Sequence, residues 1–316
     1  MTTGIGFVFP GQGSQSVGMG RLFHEASDAV RRTYEEASDV LGYDAAALCF
    51  EGPTERLNLT EFTQPALLVA SIAAWRAGAF DGIQAAAVAG HSLGEYSALV
   101  AAGAVSFREG VSLVQKRGRY MAESVPAGTG LVAALLGLSP ELTQAACKEA
   151  SAVGLVAPAN FNCPGQIVIA GEKAAVERAI ELAKAKGAKR ALPLPVSVPV
   201  HTPLMKRAAD RLAQDLAAAH WNDLQAPLVN NADAAVIRWC SDIQPSLVKQ
   251  LPSPVRWEES VRKMASMGVT TFVEVGPGTV LTGLIKRIVP DATTFNVQDP
   301  TSLDATRAAL EARASA

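Results

Sequence analysis

A glycine-serine turn between an apolar segment and a helical one constrains this chain more than any other feature. The residues Gly90-His91-Ser92-Leu93-Gly94 follow the apolar run Ala85–Ala89 and precede the helix-favouring run Glu95–Ala102. A Gly-x-Ser-x-Gly pentapeptide between a strand and a helix predicts a nucleophile elbow, whose glycines leave room for a serine with strained backbone geometry. The serine oxygen is then exposed beside the N–H groups of a helix N-terminus. The same letters also form ordinary strand-to-helix turns, so a base and an oxyanion site are needed elsewhere in the chain.

Length and charge limit the classes of protein that fit. A chain of 316 residues exceeds the usual size of a single core, which predicts two domains or one large domain with an insertion. The 28 Lys and Arg residues and the 30 Asp and Glu residues give a net charge of −2. This balance argues against binding of nucleic acid or another polyanion.

Targeting signals and cysteine pairs are both missing from the sequence. The segment Met1–Ile5 has no basic start, and apolar stretches such as Leu67–Trp75 are too short to cross a bilayer, so we expect a cytoplasmic protein that does not enter a membrane. The cysteines are Cys49, Cys147, Cys163 and Cys240. Because no Cys-x-x-Cys occurs, we expect neither a zinc site nor a disulfide framework, in keeping with a reducing cytosol.

Alternating strand and helix patterns predict an α/β fold. Between residues 128 and 196 the order β-α-β-β-α-β is typical of a ferredoxin-like unit, which we expect as a small inserted subdomain. Residues 1–127 and 197–316 alternate as in a parallel sheet flanked by helices, which predicts an α/β-hydrolase-like large subdomain. Helical spacing predicts one helix over Arg21–Leu41, a buried one over Thr63–Ala77 and a short one over Ser246–Leu251. The first two are expected to be scaffold only.

Two segments outside the elbow contain candidate binding groups. The turn Pro10-Gly11-Gln12-Gly13-Ser14-Gln15 ends a short strand and lacks the pattern of a P-loop, so it is either an oxyanion-binding loop or a plain tight turn. Arg117 lies in the apolar stripe of a helix over Phe107–Val125, beside Leu113 and Met121, and should face the interior or a cleft. There it either binds an anionic ligand or forms a structural salt bridge.

A base is identified by elimination among the four histidines. His24 and His220 lie in or at the end of helices, and the elbow turns the His91 side chain away from the serine. His201, in a loop at the junction of the two subdomains, is therefore the candidate base, although a structural loop histidine is the alternative. No Asp or Glu follows a strand between Ser92 and His201, so we expect a backbone or amide carbonyl to orient the imidazole.

Several motifs in order resemble the malonyl-CoA:acyl-carrier-protein transacylases, nearly from end to end. The motifs are Phe9-Pro10-Gly11-Gln12-Gly13-Ser14-Gln15, Gly90-His91-Ser92-Leu93-Gly94-Glu95-Tyr96-Ser97, Gln115-Lys116-Arg117-Gly118, Asn160-Phe161-Asn162-Cys163-Pro164-Gly165-Gln166 and Glu274-Val275-Gly276-Pro277-Gly278. The resemblance implies oxyanion-hole N–H groups at Gln12 and Leu93, and a carboxylate-binding arginine at Arg117. It implies a base at His201, oriented by a carbonyl of Gln250.

The substrate expected from the resemblance is malonyl-CoA, with acyl carrier protein as acceptor. Asn160 and Asn162 fall where family members line the pantetheine channel, and we count Met121 and Val200 among the substrate-binding residues. The family often has serine or phenylalanine before the histidine, whereas this chain has Val200, which places discrimination against methylmalonyl units in question. The implied mechanism is ping-pong transfer through a malonyl ester of Ser92.

The expected partner is a carrier protein, and no other ligand is expected to be held permanently. We expect no tightly bound cofactor, no metal, no nucleic acid and no membrane, a monomer, and phosphopantetheine carried by the acyl carrier protein. Basic residues that could meet an acidic carrier are Lys184, Lys186, Lys189, Arg190, Lys286 and Arg287, although solvated helix ends, where basic residues favour the helix dipole, are the preferred explanation. Alternative functions are an acyltransferase of a polyketide or malonate-using pathway, a serine thioesterase or esterase, and a non-catalytic module that binds carrier protein.

Overall fold

The computed structural model describes residues 4–78, 80, 83–126, 128–194 and 198–314. Its strands are β1 (Gly4–Phe9), β2 (Ala87–Gly90), β3 (Gly130–Leu136), β4 (Val156–Cys163), β5 (Gln166–Glu172), β6 (Arg190–Pro193), β7 (Leu228–Val229), β8 (Val236–Ile237), β9 (Val269–Val275) and β10 (Thr293–Val297). The first seven helices are α1 (Arg21–Ala26), α2 (Asp28–Leu41), α3 (Ala45–Glu51), α4 (Thr54–Leu57), α5 (Thr60–Gly78), α6 (Gly94–Ala101) and α7 (Phe107–Ala122). The others are α8 (Pro140–Ala150), α9 (Lys173–Ala185), α10 (Lys206–Ala218), α11 (Cys240–Gln250), α12 (Trp257–Ser266), α13 (Val280–Ile288) and α14 (Pro300–Ala314).

The large sheet has the strand order β10-β9-β1-β2-β7-β8. Every neighbouring pair in it is parallel except β7 and β8, which are antiparallel. Aromatic side chains pack at its centre, where the ring of Phe7 lies 4.9 Å from Trp75 and 5.2 Å from Phe80. The parallel arrangement places the ends of β1 and β2 side by side, so the turns after Phe9 and Gly90 meet at one edge of the sheet.

The small sheet has the order β4-β5-β3-β6 and is antiparallel throughout. Helices α8 and α9 pack on it through the apolar side chains of Ala146, Val176 and Ala179. This is the strand order of a ferredoxin-like unit, and it confirms the predicted fold class. The exact subdomain boundaries stay a prediction, because residues 127 and 195–197 lie outside the described residues.

The structure corrects two predicted elements. The helix predicted over Arg21–Leu41 is two helices, because Ser27 adopts an extended conformation between them. The short helix predicted from Ser246 begins at Cys240, with Pro245 inside it.

Candidate active site

Ser92 occupies the tip of the predicted elbow between β2 and α6. Its φ of 52° lies in the left-handed region, which costs a non-glycine residue strain and is typical of functional positions. The two flanking glycines allow the tight turn, because a Cβ at Gly90 would overlap the backbone of Gly94, and one at Gly94 would overlap the carbonyl oxygen of Phe9. The strained turn also depends on Asn231, whose side chain accepts a hydrogen bond from Ser92 N at 2.6 Å and donates to Gly90 O at 2.7 Å.

His201 contacts the hydroxyl of Ser92 directly. Its Nε2 atom lies 2.7 Å from Ser92 Oγ, and its Nδ1 atom lies 3.1 Å from Gln250 O and 3.2 Å from Ser253 O. Two carbonyl acceptors on Nδ1 require the proton to be on that nitrogen, so Nε2 is free to accept the proton of Ser92. Among the described residues no carboxylate contacts Nδ1, and the backbone carbonyls of Gln250 and Ser253 orient the ring.

Burial keeps the imidazole uncharged. Desolvation, with a smaller contribution from the charge of Arg117, lowers the pKa of His201 to about 3. His201 is therefore neutral at physiological pH and available as a proton acceptor. Like Ser92 it has a positive φ, 57°, so both members of the pair depend on the surrounding fold for their conformation.

Arg117 brings a positive charge to the same hydroxyl. The side chain is 1% exposed, and its guanidinium donates to Ser92 Oγ at 3.1 Å, to Gln250 Oε1 at 2.9 Å and to Gln64 Oε1 at 2.7 Å. None of the ion pairs found among the described residues includes Arg117. Because a buried cation without a counter-charge is costly, this geometry favours the ligand-binding interpretation over a structural salt bridge.

The turn after β1 faces the elbow. The backbone N–H groups of Gln12 and Leu93 donate to no other group in the part of the chain that the structure describes, and both residues line the cavity beside Ser92. Free N–H groups beside a nucleophile can stabilise an oxyanion. The geometry thus favours an oxyanion-binding loop over a plain turn.

The cavity at Ser92 has a volume of about 170 Å³ and lies between the two sheets. Its lining includes every predicted site residue except Gln250: Gln12, Ser92, Leu93, Arg117, Met121, Asn160, Asn162, Val200 and His201. Apolar side chains of the small sheet and of α13 form much of the remaining wall, among them Val132, Val168, Leu194, Val280, Leu281 and Leu284. A mostly apolar cleft with a few convergent polar groups is typical of a substrate site.

The His91 side chain contacts Asn162 and Trp257 and links the two sheets. Its Nε2 atom lies 2.9 Å from Asn162 Oδ1, and its ring lies 5.6 Å from that of Trp257. Burial lowers the pKa of His91. This contact fixes Asn162 of β4 at the wall of the cavity.

Sequence reasoning missed three polar residues of the site. Gln64 belongs to α5, which was expected to be scaffold, yet it holds Arg117 and also contacts Met121 Sδ at 3.2 Å. Asn231 and Glu95 lie beneath the elbow and are both fully buried. The available signal was a polar residue inside an otherwise apolar run, namely the glutamine of Thr63-Gln64-Pro65-Ala66 and the asparagine that follows Leu228-Val229.

Metal ligands, membrane-spanning helices and disulfides are three further features on which the sequence made predictions. The described residues contain no group of three or more His, Cys, Asp or Glu side chains placed to hold a metal ion. No helix among them is both long and apolar enough to pass through a membrane. All four cysteines are unpaired.

Comparisons with known proteins agree with this site. Residues 6–303 match the family model described as acyl transferase domain. The malonyl CoA-acyl carrier protein transacylase of Escherichia coli (strain K12) is 52% identical over 304 residues, covering 96% of this chain and 98% of the relative.

Solved structures extend the similarity to three dimensions. An acyl carrier protein S-malonyltransferase from Vibrio cholerae is 53% identical, with a TM-score of 0.92 and coverage of 96% of this chain and 99% of that one. A malonyl-transacylase solved in complex with its type II PKS acyl-carrier protein is 51% identical, with a TM-score of 0.93 and coverage of 96% and 98%. The chain therefore belongs to the acyl transferase domain family, among the malonyl CoA-acyl carrier protein transacylases.

Proposed function

We propose that this chain transfers the malonyl group of malonyl-CoA to the phosphopantetheine thiol of an acyl carrier protein, supplying extender units for fatty-acid synthesis. The observation that carries the proposal is the position of Ser92 Oγ, 2.7 Å from His201 Nε2 and 3.1 Å from Arg117 Nη2. One neighbour can accept the hydroxyl proton, and the other can bind a carboxylate. A nucleophile, a base and a cation at one point are the requirements for transfer of a dicarboxylic acyl group.

The first half-reaction forms an ester on Ser92. The hydroxyl proton passes to His201 Nε2 as Ser92 Oγ attacks the thioester carbonyl of malonyl-CoA. The carbonyl oxygen becomes an oxyanion, which the N–H groups of Gln12 and Leu93 stabilise. The tetrahedral intermediate collapses, the carbon–sulfur bond breaks, and His201 returns the proton to the departing CoA sulfur.

The second half-reaction reverses these proton transfers with a different thiol. The phosphopantetheine arm of the acyl carrier protein enters the vacated cavity, where Asn160 and Asn162 offer amide groups along the wall. His201 takes the thiol proton, the sulfur attacks the ester carbonyl, and Ser92 Oγ leaves with that proton. One site thus serves both substrates in turn, which is ping-pong kinetics.

Arg117 selects the acyl group. A malonyl carboxylate supplies the negative charge that the buried guanidinium lacks, and two parallel hydrogen bonds between them are charge-assisted. An acetyl group would leave the guanidinium unpaired, so malonyl is preferred.

Val200 and Met121 line the cavity beside these groups and limit its size. One additional methyl in an apolar pocket changes binding by about 1–3 kcal/mol, so we expect a modest preference for malonyl-CoA over methylmalonyl-CoA. Competition between the two thioesters measures this preference, and equal loading would contradict it.

We place the proposed reaction in the cytoplasm and assign it to a monomer. Four unpaired thiols fit a reducing cytoplasm, and we place the protein there. Ser92, His201 and Arg117 meet within one chain, which supports a monomer as the active form. The net charge of −2 does not attract an acidic carrier protein. Recognition of the carrier therefore requires a local basic surface.

A polyketide carrier is the second candidate acceptor. It is favoured by the similarity to the malonyl-transacylase that was solved with a type II PKS acyl-carrier protein. The two pathways share the chemistry at Ser92 and differ only in the carrier. Transfer rates to carriers of both kinds, measured side by side, distinguish them.

Intact mass spectrometry tests the proposed reaction. After incubation with malonyl-CoA, the wild-type protein should gain one malonyl group and lose it on addition of acyl carrier protein, while Ser92→Ala gains none. Rapid loss of the malonyl group to water would support a thioesterase instead. No adduct at all would support a non-catalytic binding module.

A further inference from the structure

Glu95 is a buried acid at the site that the proposed mechanism does not use. It is the second residue of α6, directly after the elbow, and its side chain is 0% exposed. Its Oε2 atom accepts hydrogen bonds from Asn231 N at 2.9 Å and from Gln250 Nε2 at 3.0 Å. Its Oε1 atom has no hydrogen-bond partner among the described residues. A half-satisfied buried carboxyl costs stability, which indicates a functional reason for its presence.

The amide of Gln250 connects Glu95 to Arg117. Gln250 Nε2 donates both to Glu95 Oε2 and to Ser92 O, the latter at 3.0 Å. Because both neighbours on that side are acceptors, the amide nitrogen must face them and the amide oxygen must face the other way. That oxygen, Oε1, accepts the hydrogen bond from Arg117 Nη2 at 2.9 Å. Glu95 therefore helps to set the orientation in which the guanidinium reaches Ser92.

Few charges act on Glu95 in its buried position. Arg117 is the cation that stabilises its ionised form, and the carboxylate of Asp233, which pairs with Lys249 at 2.6 Å, opposes it more weakly. The Tyr96 ring lies against the same guanidinium, and burial keeps the pKa of its phenol well above the usual value. Burial also raises the pKa of Glu95 to about 7, so both forms of the carboxyl exist near neutral pH.

We propose that the charge of Glu95 sets how strongly the site prefers a dicarboxylic acyl group, because its carboxylate, when ionised, acts on Arg117 through Gln250 without touching the guanidinium. A malonyl carboxylate that arrives at Arg117 adds a second negative charge next to one cation. The ionised form of Glu95 opposes this second charge, and the protonated form does not. An acetyl group adds no charge, so the ionisation of Glu95 affects acetyl loading far less.

This inference rests on the proposed function and predicts a sign for the pH dependence. As pH rises through 7, Glu95 ionises and malonyl loading becomes less favourable relative to acetyl loading. The malonyl carboxylate itself is ionised throughout this range, and Ser92 and His201 act equally on both substrates, so neither contributes to the ratio. We expect the ratio of the second-order loading rates, malonyl-CoA over acetyl-CoA, to fall about tenfold between pH 6 and pH 8.5.

The test compares this ratio in wild type, Glu95→Gln and Glu35→Gln. Glutamine at position 95 keeps an oxygen for the Asn231 and Gln250 donors but carries no charge, so its ratio should stay at the wild-type pH 6 value across the range. Glu35 is exposed on α2, and the same exchange there should leave the wild-type profile unchanged. A flat wild-type ratio, or a Glu95→Gln profile that falls like that of wild type, overturns the proposal.

A second measurement uses the wild-type protein alone. Transfer from malonyl-CoA to Ser92 releases CoA as a thiol and consumes no net proton, so any proton taken up reports another group. In weakly buffered solution at pH 7, an indicator dye should record more proton uptake per ester formed with malonyl-CoA than with acetyl-CoA. Equal uptake overturns the proposal even if the variant fails to fold. The malonyl ester itself, counted by mass in the same samples, tests the proposed function separately.

Discussion

Arg117 holds the charge on which substrate selection depends. Three neutral oxygens, from Gln64, Gln250 and Ser92, solvate the guanidinium, and Tyr96 lies 5.5 Å from it. Burial lowers the pKa of Arg117, but an arginine stays protonated at any physiological pH. The carboxylate of the substrate is then the natural partner of this cation.

Removal of this cation should change which thioester is accepted. In Arg117→Ala the charge-assisted pair with malonyl is lost, so malonyl loading should fall about 100-fold relative to acetyl loading. Loading from malonyl-CoA and acetyl-CoA, measured by intact mass over time, gives this ratio. Arg119→Ala on the exposed side of the same helix is the control and should keep the wild-type ratio. An unchanged ratio in Arg117→Ala would contradict the assigned role.

The buried ring of His201 makes the folding stability of the protein sensitive to acid. Its pKa is about 3 in the folded protein and about 6.5 in an unfolded chain, so between these values the unfolded state binds a proton that the folded state does not. Stability must therefore decrease as pH falls below 6.5, by about 2 kcal/mol at pH 5 from this residue alone.

The variant His201→Asn isolates this effect, since asparagine tolerates a positive φ and does not titrate. Urea unfolding of both proteins at pH 7.5 and pH 5 gives the free energies. We expect the difference between wild type and variant to shift by about 2 kcal/mol against the wild type at pH 5. A difference that is constant with pH would mean that His201 is not held neutral by burial.

At the scale of the element, the elbow depends on close contact between β1, β2 and α6. A Cβ at Gly94 would overlap the carbonyl oxygen of Phe9, so the start of α6 would have to move away from the sheet. Gly283 in α13 offers a matched control, because a Cβ there would meet nothing within 4 Å.

Alanine at these two glycines should have opposite effects on thermal stability. Gly94→Ala should lower the free energy of unfolding by about 1–3 kcal/mol through overpacking and should slow ester formation on Ser92. Gly283→Ala should raise it by about 0.4–1 kcal/mol, because an exposed helical glycine is replaced without strain. Calorimetry of the two variants measures both shifts. Equal tolerance at both positions would show that the elbow is not tightly packed.

The elements that the sequence predicted well are those whose pattern is local. The elbow, the ferredoxin-like order and the interior position of Arg117 all follow from periodicity and spacing within one segment. The roles of Gln64, Glu95 and Asn231 do not, since each is defined by partners 53 to 155 residues away in the chain, from Arg117 for Gln64 to Gln250 for Glu95. A buried polar residue can be noticed in a sequence, but its partner is created only by the tertiary fold.

At the scale of the whole molecule, the cavity lies where the two sheets meet. Asn162 of β4 contacts His91 beside the nucleophile, and Val255 forms a backbone bridge with Asn160. At the small sheet Arg287 of α13 donates to Pro164 O at 2.9 Å and to Gln166 Oε1 at 3.0 Å. Gln166 itself lines the cavity, so the basic end of α13 lies close to it, and we expect the phosphopantetheine arm to enter on this side.

Of the predicted basic residues, Lys286 and Arg287 are thus better placed for carrier docking than Lys184, Lys186, Lys189 and Arg190. Lys186 is already paired with Glu149 at 3.1 Å, and Lys184 is an exposed residue at the end of α9. Lys286 is exposed on the helix that also contributes Leu281 and Leu284 to the cavity wall. Charge near the entrance should attract an acidic carrier and have little influence on chemistry at Ser92.

Charge reversal at Lys286 should therefore separate the two half-reactions. In Lys286→Glu, transfer from the Ser92 ester to acyl carrier protein should slow several-fold at low salt, and the defect should shrink as salt screens the surface charges. Ester formation at saturating malonyl-CoA, where weaker binding of the CoA phosphates no longer matters, should be within about twofold of wild type, since the charge of Arg117 is unchanged. Single-turnover mass spectrometry follows each half-reaction, with Lys184→Glu as the comparison at the other basic surface. A larger transfer defect in Lys184→Glu, or a Lys286→Glu protein that loses both half-reactions equally, would place the carrier elsewhere.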